Sequence, residues 1–425
     1  MLSTLRNAWK VPELRKRMIF TVLMIVLFRM GNFIPVPGID SAKVGALANS
    51  KNLFNFYDLI SGGAFSSFSI FAMGVTPYIN ASIIIQLLTV AIPKLEQLSK
   101  EGQEGRKKIQ DYTKYSSIAF GFLEAFGMYA IIGRTGAILN PSKLDVLLII
   151  LTMTTASVFL VWLGEQITAK GIGNGISVII FINIISRFPN SLSRIFATKQ
   201  TGGATFVAVI LLLIVFAAML LMVIVVNLSE RRIPVQYAGK AAGGKMFKGQ
   251  STHIPINISS SAVISIIFAM SVIRFPITIA DLMPNSSFAK FVKTSPYSFF
   301  RENTWQYALL YTVLIVLFTM FYTQITFKPD EMSENMHKSS GFIPGIRPGE
   351  PTTRYLEGVL NKMAILGGIF AAIIAIFPIV VEGYTPFKNI ALGGTALLIV
   401  VGVAVETMRQ LESQLVMRHY EGFLK

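Results

Sequence analysis

The sequence predicts an all-α membrane protein whose ten transmembrane helices form two inverted five-helix halves, and three observations carry that expectation. Hydrophobic residues make up 53% of the 425 positions and charged residues only 14%, too few polar side chains to keep the chain in water. The apolar residues gather into ten runs, most of them near the roughly 20 residues that a helix needs to cross a bilayer. The cationic residues fall unevenly on the two sides that these runs define.

The runs lie at about 19–34, 68–92, 115–132, 144–163 and 172–185, then at about 206–226, 261–280, 305–325, 364–381 and 391–405. A basic stretch from Met1 to Arg17 leads into the first, which contains Arg29 and passes into Pro35, Pro37 and Gly38 with no small-residue cleavage site. It is therefore expected to be a retained span and not a signal peptide. The fifth and tenth runs are short, so each is expected to tilt, rest on protein or line a cavity. Each closes a half, 1–200 and 201–425. An odd number of spans reverses the side on which the second half begins, so an inverted repeat is geometrically available.

Lys and Arg total 38 against 22 Asp and Glu, a net charge of +16. These charges sit between apolar runs and form no continuous basic face, which points to membrane orientation and away from DNA. Ten spans put both termini on one side. That side holds 25 of the cations and the other 12, with Arg29 inside the first run, so both termini are expected in the cytoplasm. Two long polar loops on that side, 229–257 and 328–361, are candidate docking surfaces.

Catalytic constellations are missing. There is no cysteine, and His253, His337 and His419 lie in loops or the tail without metal-ligand spacing, so neither a metal, a cofactor nor an enzyme activity is expected. Asp58 is isolated and Asp145 stands at the edge of a run. Glu124 is the deepest acid, and an intramembrane acid is by default a functional candidate, but a packing role among satisfying neighbours is expected for it. Arg29 is expected to snorkel or to pair structurally. Val75 with Ile79, and Ile176 with Ile180, are four apart and can share a helix face. A secondary transporter would need a polar midplane site, which these aliphatic pairs do not supply.

Several strings that hydropathy does not dictate carry a resemblance: FRMGNFIPVPGID (28–40), SIFAMGVTPYINASIIIQLL (69–88), WLGEQITAKGIGNGIS (162–177), QSTHIPI (250–256), FIPGIRPGEPT (342–352) and GGTALLIVVGVAVETMRQLESQL (393–415). In this order they resemble the SecY family, pore subunits of the bacterial Sec protein-translocation channel, over nearly the whole chain. SSAVIS (260–265) lacks the glycine and proline usual there, and GKAAGGK (239–245) has fewer arginines.

The resemblance implies a protein-conducting channel of the bacterial cytoplasmic membrane, with the ten helices around a central pore, that releases transmembrane segments sideways into lipid. It implies an apolar pore ring of Val75, Ile79, Ile176, Ile180, Ile267 and Ile399. It implies a plug near 54–67 that includes Phe54, Asn55, Phe56, Tyr57, Asp58, Leu59, Ile60, Ser61, Gly62 and Gly63, the two glycines giving it turning freedom. A lateral gate is implied between the second and third spans and the seventh and eighth, where Asn80, Ser82 and Gln86 would supply weak polar contacts. Cytosolic partners would meet Arg231, Arg232, Lys240, Lys245, Lys248 and Arg347. The partners implied are SecE, SecG, the motor SecA, the ribosome, signal peptides and nascent or precursor polypeptides, together with membrane lipid.

Overall fold

The computed structural model describes residues 2–41, 43–44, 61–133, 136–138, 142–200, 205–237, 241–242, 245–246, 251–257, 262–283, 285–295, 297–301, 304–385 and 393–423. The N-terminal half comprises α1 (Leu2–Lys10), α2 (Pro12–Gly31), α3 (Thr76–Ala91), α4 (Pro93–Lys100), α5 (Gln103–Gly133), α6 (Lys143–Lys170) and α7 (Gly175–Gln200). The C-terminal half comprises α8 (Phe206–Leu228), strands β1 (Glu230–Tyr237), β2 (Ala241–Ala242), β3 (Lys245–Met246) and β4 (Ser251–Asn257), α9 (Ala262–Leu282), α10 (Ser287–Thr294), α11 (Trp305–Phe327), α12 (Pro329–Lys338), β5 (Gly341–Phe342), α13 (Glu350–Tyr384) and α14 (Gly394–Phe423).

Each of the ten predicted runs falls on a helix: α2, α3, α5, α6, α7, α8, α9, α11, α13 and α14. Among the described residues, seven helices are long and apolar enough to cross a membrane, and α3 with α4 makes an eighth candidate, bent by 100°. Proline explains the bend, because Pro93 opens α4 and its preceding Ile92 is extended (φ −109°, ψ 112°). Of the other two, α2 falls short by composition, since it carries Arg15, Lys16, Arg17 and Arg29, and α9 contributes a shorter apolar helix, Ala262–Ile277, among the described residues.

Three sequence expectations need correction. The second run is helical only from Thr76, because Ser61–Val75 is a chain of turns in which Gly62, Gly63 and Gly74 have positive φ. The fifth and tenth helices are not short, for α7 runs 26 residues and α14 runs 30. The polar residues that ended their hydropathy are accommodated within the helices, as with Ser186 and Arg187 of α7, which hydrogen-bond to the Gly62 carbonyl and to Ser66. The two long loops are structured: β4, β1 and β5 form an antiparallel sheet. β1 buries Ile233 and Val235 while Arg232, Pro234 and Gln236 point outward, the two-residue alternation of a half-buried strand. Ile233, Val235 and Ile256 pack with Met336, Ile343, Leu356 and Leu360 into a small core of their own.

The halves keep separate cores, and α14 belongs to both. Its Ala396, Ile399 and Val403 join Val75, Leu160, Leu163, Ile179 and Ile180 of the N-terminal half. Its Leu398, Val401 and Val405 join Ile266, Ile273, Tyr311 and Ala371 of the C-terminal half. Both rows are spaced three and four apart, so they are two faces of one helix. The chain ends also meet, since Ala8 and Leu14 pack with Leu411, and the Thr4 hydroxyl donates to Glu412 at 3.0 Å. An even number of crossings requires both ends on one side.

Candidate functional site

The GIGNGIS string determines how α7 leaves α6. A Cβ on Gly175 would collide with the backbone carbonyl of Gly164, so the two helices touch backbone to backbone there. The Gly175 N–H donates to Thr168 Oγ1 at 2.8 Å, and the Asn174 side chain accepts from the Ser177 N–H at 3.2 Å, which satisfies two free donors at the start of α7. The Ile172 N–H reaches Thr21 Oγ1 of α2 at 3.0 Å. A turn pinned on three sides aims Ile176 and Ile180 into the N-terminal core.

Five of the six expected ring residues meet there. Val75, Ile180 and Ile399 are buried in one cluster, and Ile79 and Ile176 pack against it. Val75 caps α3 and its carbonyl accepts the Ile79 N–H at 3.1 Å, so the pair does lie one turn apart. Ile267 is half-buried and is not part of this cluster, although Val263 of the same helix packs against it. Ile266 instead faces the C-terminal core.

Of the expected plug, Phe54 to Ile60 lie outside the described residues. Gly62 and the nearby Ser66 are held by two arginines that sequence reasoning did not connect with them. Arg29 Nη1 donates to the Gly62 carbonyl at 3.4 Å and to Ser186 Oγ at 3.1 Å, and the Ser186 hydroxyl donates to the same carbonyl at 3.3 Å. Arg187 Nη2 donates to Ser66 Oγ at 3.1 Å. A Cβ on Gly62 would run into Asn183, and both glycines have positive φ (66° and 98°). Glycine here supplies close approach as well as turning. Ala64 and Phe71 of the same segment belong to the core that holds the ring.

The expected gate residues divide. Asn80 Nδ2 donates to Glu124 Oε1 at 2.6 Å, joining α3 to α5. The Ser271 hydroxyl of α9 donates to Asn80 Oδ1 at 3.5 Å, so one polar cluster spans both halves. Glu124 therefore has the satisfying neighbour that its depth requires. Gln86 donates to Ser82 at 3.1 Å within α3, a local contact that crosses no interface.

On the face bearing the sheet, Arg231 and Arg232 are exposed on β1, with Arg232 paired to Glu230 at 2.7 Å. Lys245 lies in β3, while Lys240 and Lys248 lie outside the described residues. Arg347 is exposed on the turn between β5 and α13. Gly345 and Gly349 flank it with positive φ, the Thr352 hydroxyl donates to the Arg347 carbonyl at 2.8 Å, and Ser333 donates to that of Gly349 at 3.0 Å. The backbone is thereby fixed while the guanidinium projects.

The SecY family model matches residues 69–408. The chain is 42% identical over 439 residues to protein translocase subunit SecY of Halalkalibacterium halodurans, all of both chains being covered. It is 40% identical over 436 residues to that of Thermotoga maritima, covering all of this chain and 98% of the relative. In fold it is similar to a solved protein-conducting channel, with a TM-score of 0.68, 19% identity and 96% of each chain covered. Sec61 of the canine ribosome-channel complex gives a TM-score of 0.64 at 19% identity, again over 96% of each. Matched from end to end by its bacterial relatives and sharing the ten-helix channel fold, the chain belongs to the SecY family.

Proposed function

We propose that this chain is the pore of a protein-conducting channel that moves unfolded, signal-bearing polypeptides across the bacterial cytoplasmic membrane and releases transmembrane segments into lipid. The observation that carries this reading is the meeting of five aliphatic ring residues from α3, α7 and α14 in one core with the arginine-held glycine segment. An aliphatic constriction stops ions, because a hydrated ion must shed water there without gaining replacement ligands, and it can gate by dewetting. Aliphatic side chains can part around a passing chain. Moving the glycine segment would cost its arginine bonds and little covalent distortion. The Asn80–Glu124–Ser271 cluster fits a lateral seam, since intramembrane polar contacts are worth about 1 kcal/mol each, small enough to open for an apolar helix.

Both termini and the sheet then face the cytoplasm. Arg231, Arg232, Lys240, Lys245, Lys248 and Arg347 would meet SecA or the ribosome, with SecE and SecG as membrane companions. Arg347 is the sharpest case, because a guanidinium on a fixed turn can make bidentate contacts that an ammonium cannot. In proteoliposomes holding the chain with its companions, SecA and ATP should make a signal-bearing precursor resistant to added protease. Arg347→Glu should abolish most of that protection and Arg347→Lys should reduce it, with subunit co-purification unchanged. No protection with the unaltered chain would overturn the transport reading. Full activity of both variants would leave Arg347 only its charge.

A further inference from the structure

Helix α10 takes no part in the ring, the plug or the gate. It joins the C-terminal end of α9 to the start of α11, whereas the sheet is built from segments leaving the opposite ends of those helices. The Ala289 N–H donates to Ser286 Oγ at 3.1 Å to begin the helix, and Ala289 and Val292 turn inward into the C-terminal core with Tyr307. On the adjacent face Phe288 and Phe291 remain 44% and 52% exposed, and Tyr297 and Trp305 remain 79% and 70% exposed. Lys290, Lys293 and Arg301 accompany them, and the sequence from Leu282 to Arg301 contains no carboxylate.

A helix bathed in water would gain nothing by displaying two phenylalanines beside two lysines. At a bilayer surface the same pattern is favourable, because aromatic rings settle at headgroup depth while cations meet phosphate. We propose that α10 and its flanking aromatics dock in the phospholipid headgroup layer on the membrane side away from the sheet, with Phe288 and Phe291 at the acyl boundary and Lys290, Lys293 and Arg301 toward lipid phosphates. Connectivity selects lipid as the occupant: both ends of the α10 segment run into spans, so it lies at the bilayer edge. Charge selects it again, since the three cations between Asp281 and Glu302 outnumber these two flanking acids and complement phosphate. Trp305, first residue of α11, stands where an interfacial anchor belongs. The consequence is mechanical: α9 and α11 are tied together to the lipid surface at the end remote from the sheet.

The cysteine-free chain permits single nitroxide labels at Phe288→Cys, Lys290→Cys and Phe291→Cys in vesicles of phosphatidylethanolamine and phosphatidylglycerol. Oxygen, which concentrates among acyl chains, should relax the labels at 288 and 291 several-fold more effectively, relative to a water-soluble nickel chelate, than the label at 290. Equal access of nickel to all three would overturn the proposal by placing α10 in water. Shielding of 288 and 291 from both agents would overturn it by placing protein, a second copy included, over that face. If the labelled variants fail to fold, bromine on the acyl chains reads the same depth in a chain with Trp9→Phe and Trp162→Phe. Strong quenching of Trp305 supports the proposal, and an unquenched Trp305 overturns it.

Discussion

At the scale of single residues, the proposed waist and the proposed gate pose opposite problems of burial. Ile79 and Ile180 gain only by exclusion of water, so Ile79→Gly with Ile180→Gly should open a wet path and raise ion leak across planar bilayers. Unchanged conductance in a correctly assembled channel would remove them from the seal. Asn80 and Glu124 are held by one short bond, and Asn80→Leu strands a buried acceptor at a cost of about 1–3 kcal/mol. Thermal unfolding of Asn80→Leu, Glu124→Leu and the double variant should show coupling of about 1 kcal/mol; purely additive losses would show that the bond is idle. Four-residue spacing made it legible in sequence that Val75 with Ile79, and Ile176 with Ile180, can share a helix face. The partner of Glu124 was not legible, because it stands 44 residues away and only the docking of α5 on α3 brings it near. That Ile267 stays outside the cluster was illegible for the same reason, since the face that α9 turns to each neighbour is set by its packing against α11, α13 and α14.

At the scale of elements, hydropathy located all ten helices but misjudged several ends. It stopped the fifth at polar residues, yet Ser186 and Arg187 continue α7 because they bond to the glycine segment. It carried the second run back through 68–75, where turns prevail over apolar composition. The sheet had its signal in the alternation of ERRIPVQY, which the reading as polar loop passed over. The turn before α7 admits a direct test. Gly175→Val would force backbones apart where α6 and α7 touch, and overpacking of this kind costs about 1–3 kcal/mol. The melting temperature should fall, while Asn174→Ser, which keeps a capping oxygen, should leave it nearly unchanged. Equal melting of Gly175→Val and the parent would refute the close approach.

At the scale of the whole molecule, the packing of α1 against α14 places both chain ends at one surface, and the cation excess is the ground for proposing that this surface faces the cytoplasm. A cysteine at Lys245→Cys should react with an impermeant maleimide only from the cytoplasmic side, and one at Lys293→Cys only from outside. The reverse pattern would end this topology.

The two-faced α14 has a consequence for motion. A helix that lends one row of side chains to each half is a shared wall, and no parting of the halves can leave both rows where they are. Chain continuity ties it to the C-terminal half through Leu398, Val401 and Val405. The opposite row, Ala396, Ile399 and Val403, is the slighter of the two and lies against Val75 and Ile180. That row is the natural slip plane, and with Ile399 in the proposed ring, any travel of the N-terminal half along it would also resize the aperture.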